Sequence, residues 1–296
     1  MGARDFRWPP PPGGAPERFA PRSRAEPGRP LRPLAAPTQL VDVAGVSLEC
    51  LTAGTGDPVT VFAHGFAGGI ADTRPYGSAV GGTKVFFQFR GHGRSAAPPG
   101  PWSYADLAGD LRGVADRFGA RRALGVSLGA AALAQLLTRT PDRFDRVVFV
   151  IPAVLDEPRS THAADRSRAL LEAVNDGDQA TASDLLAQDI PTSVRDSPAA
   201  WQYLRDRLDQ LFRDGLAPSL VDLTDQPALP DRALLRAVTA RALVIGCVGD
   251  RTHPARVAEA LAAALPDAQL HIYPRPALLW SQRADLRQRV AGFLND

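Results

Sequence analysis

A serine flanked by glycines, in the run Gly125-Val126-Ser127-Leu128-Gly129, is the feature of this sequence that most directly suggests chemistry. The G-x-S-x-G pattern is typical of a sharp strand-to-helix turn that exposes the serine hydroxyl as a nucleophile. Small residues are needed two places before and after the serine, because the strained turn brings neighbouring backbone segments together. The pattern also occurs by chance, so its meaning depends on the residues that accompany it.

A glycine-rich segment at residues 64–69, His-Gly-Phe-Ala-Gly-Gly, follows an apolar run that we interpret as a buried strand. Ligands of open α/β folds bind at the carboxyl ends of such strands. We therefore expect the backbone N–H groups of Phe66 and Leu128 to form an oxyanion hole beside Ser127. The alternative is a tight loop without a chemical role, and the serine turn favours the oxyanion hole.

Asp250 lies in the loop Gly-Asp-Arg-Thr-His-Pro at residues 249–254, after an apolar run that predicts the penultimate strand. A carboxylate there, after the serine in the chain, is well placed to orient a histidine and to balance its charge. The alternative is a surface aspartate that begins a turn before a helix with Pro254 at its first position. The position in the chain favours the catalytic interpretation.

The elements that must position these residues alternate between short apolar runs and amphipathic segments. This alternation predicts a mostly parallel sheet with helices on both faces. We predict strands at residues 39–43, 46–51, 58–63, 84–89, 122–126, 147–151, 242–247 and 269–273, the first two forming a hairpin. We predict helices at residues 104–118, 128–138, 254–265 and 284–293.

Three kinds of segment are predicted along the chain. Residues 1–37 are rich in proline and arginine without apolar periodicity, which indicates a disordered tail. Residues 38–154 and 236–296 form the α/β core. Residues 155–235 carry mainly helical patterns and interrupt the alternation, which predicts a helical cap over the carboxyl edge of the sheet.

The composition excludes several classes of function. The net charge is only +2, and no basic block with interleaved aromatic residues predicts a nucleic-acid-binding face. Cys50 and Cys247 are too few for a disulfide framework or a zinc cluster, so we expect buried thiols in a reducing compartment. No secretory signal or bilayer-spanning run is present, so we expect a cytoplasmic protein without membrane association. We expect a small-molecule substrate and neither a metal nor a cofactor; the sequence carries no signal for an oligomeric state.

Together, the glycine-rich loop, an R-G-H-G-R-S loop at residues 90–95, the serine turn, the helical insertion and the aspartate loop resemble the α/β-hydrolase family in order and spacing. The resemblance covers about residues 39–296. It implies a helix-flanked sheet with a cap, a pocket between them, and a Ser127–Asp250 pair that needs a histidine. It also implies a cofactor-independent serine hydrolase of the carboxylic-ester type, acting on an acyl ester, a thioester or a related small molecule.

Two positions depart from the family's pattern. Gln88 stands where the common form of the second loop has an aspartate, two residues before Arg90. The family's spacing from Asp250 to the catalytic histidine leads to Leu278, so the usual base is missing. The histidine within the second loop, His92, we interpret as structural because glycines flank it.

Four other histidines could replace the missing base. His253 is the best placed, because its loop shares the rim of the sheet with Ser127, although it also reads as a residue at a helix N-terminus. His271 falls within the last strand, where we expect a buried, hydrogen-bonded ring. His162 begins the predicted cap, and His64 we expect to hold the oxyanion loop by hydrogen bonds.

The missing base leaves two alternatives to a serine hydrolase. Removing the base of a serine triad costs on the order of a millionfold in kcat. A protein that kept the pocket but lost the triad would bind a small molecule without turning it over. A non-hydrolytic enzyme on the same fold is the other alternative.

Overall fold

The computed structural model describes residues 37–296, and in this part of the chain eight strands form one sheet. The strands are β1 (Gln39–Val43), β2 (Val46–Ala53), β3 (Val59–Ala63), β4 (Thr83–Phe87), β5 (Arg122–Val126), β6 (Arg146–Val150), β7 (Arg241–Cys247) and β8 (Ala268–Tyr273). Their order in the sheet is β1-β2-β4-β3-β5-β6-β7-β8. The hairpin β1–β2 is antiparallel and β2 is antiparallel to β4, whereas β3 to β8 are parallel.

Helices cover both faces of the sheet over the same described residues. They are α1 (Ile70–Gly77), α2 (Tyr104–Phe118), α3 (Leu128–Arg139), α4 (Thr161–Asn175), α5 (Gln179–Ala187), α6 (Pro198–Asp214), α7 (Ala255–Ala264), α8 (Leu278–Ser281) and α9 (Arg283–Asn295). The predicted fold class is therefore confirmed, and the eight strands and four helices predicted from the sequence agree with the observed bounds to within two residues. Two helices were not predicted from the sequence: α1, which has Pro75 within it, and the four-residue helix α8.

The core forms two layers because successive side chains of a strand point to opposite faces of the sheet. On β3, Val61 joins one buried cluster and Phe62 the other. On β6, Val147 and Val148 divide in the same way. The first cluster is completed by α2 and α3 and the second by α9, so the central strands are apolar on both faces.

The last strand differs from the central ones. β8 is the edge strand of the sheet, pairs with β7 and exposes Leu270, so it is not buried on both faces as the central strands are. The expectation of a buried His271 is therefore wrong. The ring of His271 is partly exposed and packs edge-on against Tyr273, with 4.3 Å between ring centroids.

The helices α4, α5 and α6 lie between β6 and β7, in the interval predicted as a cap. Side-chain oxygens of Ser160, Asp178 and Ser197 accept backbone N–H groups at their starts, which explains where each helix begins. The predicted tail at residues 1–37 lies outside the described residues except for Pro37. Within residues 37–296, every helix is too short or too polar to cross a membrane.

Candidate active site

Ser127 occupies the sharp turn between β5 and α3, with φ 51° and ψ −106°. Such a backbone conformation costs a residue other than glycine about 1–3 kcal/mol and persists only where the surroundings impose it. A Cβ atom added to Gly125 would lie 2.4 Å from the Gly129 carbonyl oxygen, and one added to Gly129 would lie 2.4 Å from that of Ala63. Both glycines of the motif are therefore required by close backbone contacts.

His253 lies against the serine. Its Nε2 is 3.0 Å from Ser127 Oγ, and its Nδ1 is 3.0 Å from Asp250 Oδ2. Because a carboxylate only accepts hydrogen bonds, Nδ1 carries the ring proton and donates a hydrogen bond to Asp250. The lone pair of Nε2 then faces the serine hydroxyl, which is the arrangement that a general base needs.

Asp250 is held by its own loop. Its Oδ1 accepts the backbone N–H groups of Thr252 and His253, each at 2.9 Å. Burial alone would raise the pKa of this carboxyl, but the hydrogen bond from the His253 ring and those from the two backbone N–H groups lower its pKa to about 2. Asp250 is therefore ionised at neutral pH, opposite the imidazole that would become positively charged.

Two histidines near the site are structural. His64 is fully buried; its Nε2 accepts the Phe89 N–H at 3.0 Å and its Nδ1 donates to the Gly65 carbonyl at 2.8 Å. Burial lowers its pKa to about 4, so the ring is neutral. His92 is also buried, and its Nδ1 donates to the Arg90 carbonyl at 3.1 Å. Both rings therefore hold loops, as the sequence analysis expected.

Arg90 holds the R-G-H-G-R-S loop on α2. Its Nη2 donates to Asp110 Oδ1 at 2.7 Å, and its Nη1 donates to Asp106 Oδ1 at 3.2 Å. Asp110 is almost fully buried, so its charge needs this partner. The remaining histidine, His162, is exposed at the start of α4. Leu278, at the family's histidine position, is buried in the second core cluster.

The glycine-rich loop lies directly against the serine. A Cβ added to Gly65 would be 3.4 Å from Ser127 Cβ. The loop contains a turn closed by the Gly68 N–H and the Gly65 carbonyl at 2.9 Å, and Ala67 within it has φ 52°. Leu128 is the first residue of α3, where a backbone N–H has no acceptor within the helix.

Sequence reasoning missed one residue at this loop. Arg207 of α6 is buried, with 8% of its surface exposed, and donates to the Ala67 carbonyl and to Asp72. An arginine on an amphipathic helix is typical of a solvated face, so the sequence held no signal for this contact.

A cavity of about 250 Å³ lies beside the histidine loop. Its walls are residues 153–160 after β6, Arg232, and the start of α7 from Pro254, the residue that follows His253. Apolar side chains such as Val154 and Val257 line it together with the ion pair Arg232–Asp156, whose atoms are 2.8 Å apart. Charged side chains make up much of its wall, and neither Ser127 nor His253 is among the residues that line it.

The two cysteines take no part in this arrangement. Both are buried, as expected, and Cys247 ends the strand that leads to the Asp250 loop. Burial, and then the charge of Asp250, raise the pKa of the Cys247 thiol to about 12. Among the residues that the structure describes, no three His, Cys, Asp or Glu side chains are grouped to hold a metal ion.

The sheet order, the strained serine turn and the neighbouring histidine and aspartate define an α/β protein of the hydrolase class. Residues 60–286 match the alpha/beta hydrolase family, and the chain belongs to this family. No curated protein gives a significant match.

Solved structures share the fold at low sequence identity. A hydrolase from Pseudomonas aeruginosa PA01 is 22% identical, with a TM-score of 0.71 over 88% of this chain and 98% of that one. The enol-lactonase from Burkholderia xenovorans LB400 is 22% identical, with a TM-score of 0.73 over 87% and 100%. A thermophilic esterase from Thermogutta terrifontis is 20% identical, with a TM-score of 0.71 over 88% and 98%. These likenesses show the fold.

Proposed function

We propose that this chain is a cofactor-independent serine hydrolase of the carboxylic-ester type, in which Ser127 is the nucleophile, His253 the general base and Asp250 the residue that orients it. The observation that carries the proposal is the continuous relay of two 3.0 Å contacts, from Ser127 Oγ to His253 Nε2 and from His253 Nδ1 to Asp250. The base thus comes from the same loop as the acid.

In the acylation step, His253 Nε2 takes the hydroxyl proton while Ser127 Oγ attacks the substrate carbonyl. The imidazolium that results is stabilised by the ionised Asp250. The negative charge on the carbonyl oxygen is bound by the N–H groups of Phe66 and Leu128. His253 then protonates the leaving group, and the bond between the carbonyl carbon and that group breaks.

In the deacylation step, a water molecule loses a proton to His253 and attacks the acyl group on Ser127. Collapse of the second tetrahedral intermediate releases the carboxylic acid and returns the proton to Ser127 Oγ. Each turnover therefore consumes one ester and one water, and needs no redox partner.

We propose an acyl ester, a thioester or a related small molecule as the substrate. Two structural neighbours, an esterase and an enol-lactonase, are compatible with this class. We further propose that residues 155–235 act as a cap, which the contact from Arg207 to Ala67 supports, and that the protein works in the cytoplasm, where free thiols are kept reduced.

Leu278 at the usual histidine position would favour a pseudo-hydrolase that only binds a ligand, or a non-hydrolytic enzyme on this fold. His253, however, lies within hydrogen-bond distance of Ser127 Oγ, so a histidine is available as the base. The geometry therefore favours the hydrolase.

The test is hydrolysis of p-nitrophenyl acetate and butyrate by the purified chain and by Ser127→Ala. We expect the parent to hydrolyse both esters and Ser127→Ala to hydrolyse neither. We also expect a fluorophosphonate probe to react with the parent, and peptide mass analysis to locate the label on Ser127. Ligand retention without turnover in the parent would favour the binding protein. A parent that neither labels nor turns over an ester would contradict the proposal.

A further inference from the structure

We infer that Arg207 of α6 is a positioning residue that fixes the glycine-rich loop at residues 64–69 in the conformation needed to stabilise the oxyanion. The inference rests on the proposed function, and it gives the inserted segment 155–235 an indirect part in the chemical step, through the loop. It is carried by the contacts of one buried guanidinium with the loop.

Arg207 bonds to the loop in two ways. Its Nη2 donates to the Ala67 carbonyl, and its Nη1 donates to Asp72 Oδ2 at 2.9 Å. The same Oδ2 accepts the Gly69 N–H at 2.9 Å. One guanidinium therefore fixes the loop at Ala67 directly and at Gly69 through Asp72.

The loop needs such support because of the backbone conformation of Ala67. Its φ of 52° lies in the left-handed region, which is unfavourable for residues that carry a Cβ atom. The turn has one backbone hydrogen bond across it, from the Gly68 N–H to the Gly65 carbonyl at 2.9 Å. Rotation at Ala67 would turn the Phe66–Ala67 peptide and so change the path of the chain at Phe66, whose N–H, in the preceding Gly65–Phe66 peptide, we assign to the oxyanion hole.

A planar guanidinium suits this task better than other side chains. Its donors are fixed in one plane, so it can bond a carbonyl and a carboxylate together, whereas an ammonium is a point charge on a flexible chain. The charge of Asp72 also compensates the buried cation. His64 below the loop is neutral, since burial lowers its pKa to about 4, and it adds no competing charge.

The same helix provides a matched control. Arg205 lies two residues before Arg207, is about one-third exposed, and pairs with Asp209 on α6 at 3.9 Å. Replacing Arg205 removes the same charge from the same helix without removing a contact to the loop. A difference between Arg205→Gln and Arg207→Gln therefore reports the loop contacts.

The experiment compares the full-length parent, Arg207→Gln, Arg207→Lys and Arg205→Gln in steady-state hydrolysis of p-nitrophenyl acetate. For Arg207→Gln we expect kcat to fall roughly tenfold to hundredfold, less than when an oxyanion donor is removed outright. KM should change by less than about threefold, because the loop acts on the transition state more than on the bound ester. Arg207→Lys should recover part of kcat, and Arg205→Gln should match the parent.

Amide hydrogen exchange of the peptide covering residues 64–72 tests the loop itself, without any substrate. We expect faster exchange in Arg207→Gln than in the parent and in Arg205→Gln. Unchanged exchange in a folded Arg207→Gln, or a parental kcat, would overturn the inference. If Arg207→Gln does not fold, Asp72→Asn is measured instead. We again expect faster exchange and a lower kcat, and unchanged exchange or a parental kcat would again overturn the inference.

The two hypotheses fail differently. A parent that hydrolyses no ester contradicts the proposed function, while the exchange measurement still decides whether Arg207 fixes the loop. If the parent is active and Arg207→Gln has the parental kcat and amide exchange, only this inference is contradicted.

Discussion

His253 follows Asp250 by only three residues, yet its imidazole bonds to the Asp250 carboxylate and to Ser127 Oγ at 3.0 Å each. The loop achieves this because Asp250 Oδ1 accepts the backbone N–H groups of Thr252 and His253, which turns the chain back on the carboxylate. The acid and the proposed base therefore form one rigid unit at the end of β7. The segment after β8 is then free to contribute Leu278 to the core.

Replacing Asp250 tests the orientation of the base. In Asp250→Asn the side-chain amide can donate to Nδ1, which would move the imidazole proton to Nε2, the atom that must accept from Ser127. We expect kcat for an activated ester to fall about 10⁴-fold. The exposed Asp267, which pairs with Arg241 at 3.6 Å, gives the control Asp267→Asn, which should keep parental kcat. Equal kcat in Asp250→Asn and the parent would contradict the assigned role.

Replacing Gly125 tests the packing of the serine turn. The new Cβ of Gly125→Ala would lie 2.4 Å from the Gly129 carbonyl oxygen, a contact that only backbone movement can relieve. We expect the free energy of unfolding in urea to fall by about 3 kcal/mol. Gly109→Ala, within α2 and with no atom within 4 Å of the new Cβ, should instead raise it by up to about 1 kcal/mol. Similar effects of the two substitutions would contradict the close contact.

Restoring the family's histidine should not help this protein. Leu278 is 5% exposed and packs in the second core cluster, so Leu278→His would bury a polar ring among apolar neighbours. We expect a loss of about 2 kcal/mol in the free energy of unfolding and no gain in kcat. A clear rise in kcat would indicate that residue 278, and not residue 253, has access to Ser127.

His64 should make the stability depend on pH. Burial lowers its pKa from 6.5 to about 4 in the folded chain, so the unfolded chain binds the extra proton between these values. The contribution of neutral His64 to the free energy of unfolding is therefore complete above pH 6.5. It is lost as the pH falls towards 4, by about 3 kcal/mol in all.

Urea unfolding at pH 7 and pH 4.5 measures this dependence. Subtracting the change seen in His64→Gln removes what the carboxyl groups contribute to both proteins and leaves the contribution of His64 together with its charge interaction with His92, whose ring centroid is 4.7 Å away. An identical pH dependence in the two proteins would show that His64 is not held neutral in the fold.

The sheet and its helices could be predicted because apolar periodicity and glycine-rich turns are local signals. The central strands from β3 to β7 carry such signals strongly, whereas the edge position of β8 depends on the strand order, which is not written in any short segment. Ser127 and Asp250 could be located for the same reason, each lying in a short motif at the end of a predicted strand.

The partners of these residues were harder to predict. His253 could be proposed from its loop, but its contact with Ser127 spans 126 residues of sequence and depends on the loop's turn. Arg207 carried no signal at all, because its contacts with Ala67 and Asp72 exist only once α6 lies against the loop after β3. Long-range contacts of polar side chains are thus what the sequence leaves open.

The most direct test of this account is the rate at which a fluorophosphonate probe labels Ser127 in the parent, in His253→Gln and in His162→Gln. His162 is exposed at the start of α4, so its replacement controls for the loss of a histidine elsewhere. We expect rapid labelling of the parent and of His162→Gln, and almost none of His253→Gln. Labelling of His253→Gln at the parental rate would show that His253 does not activate Ser127.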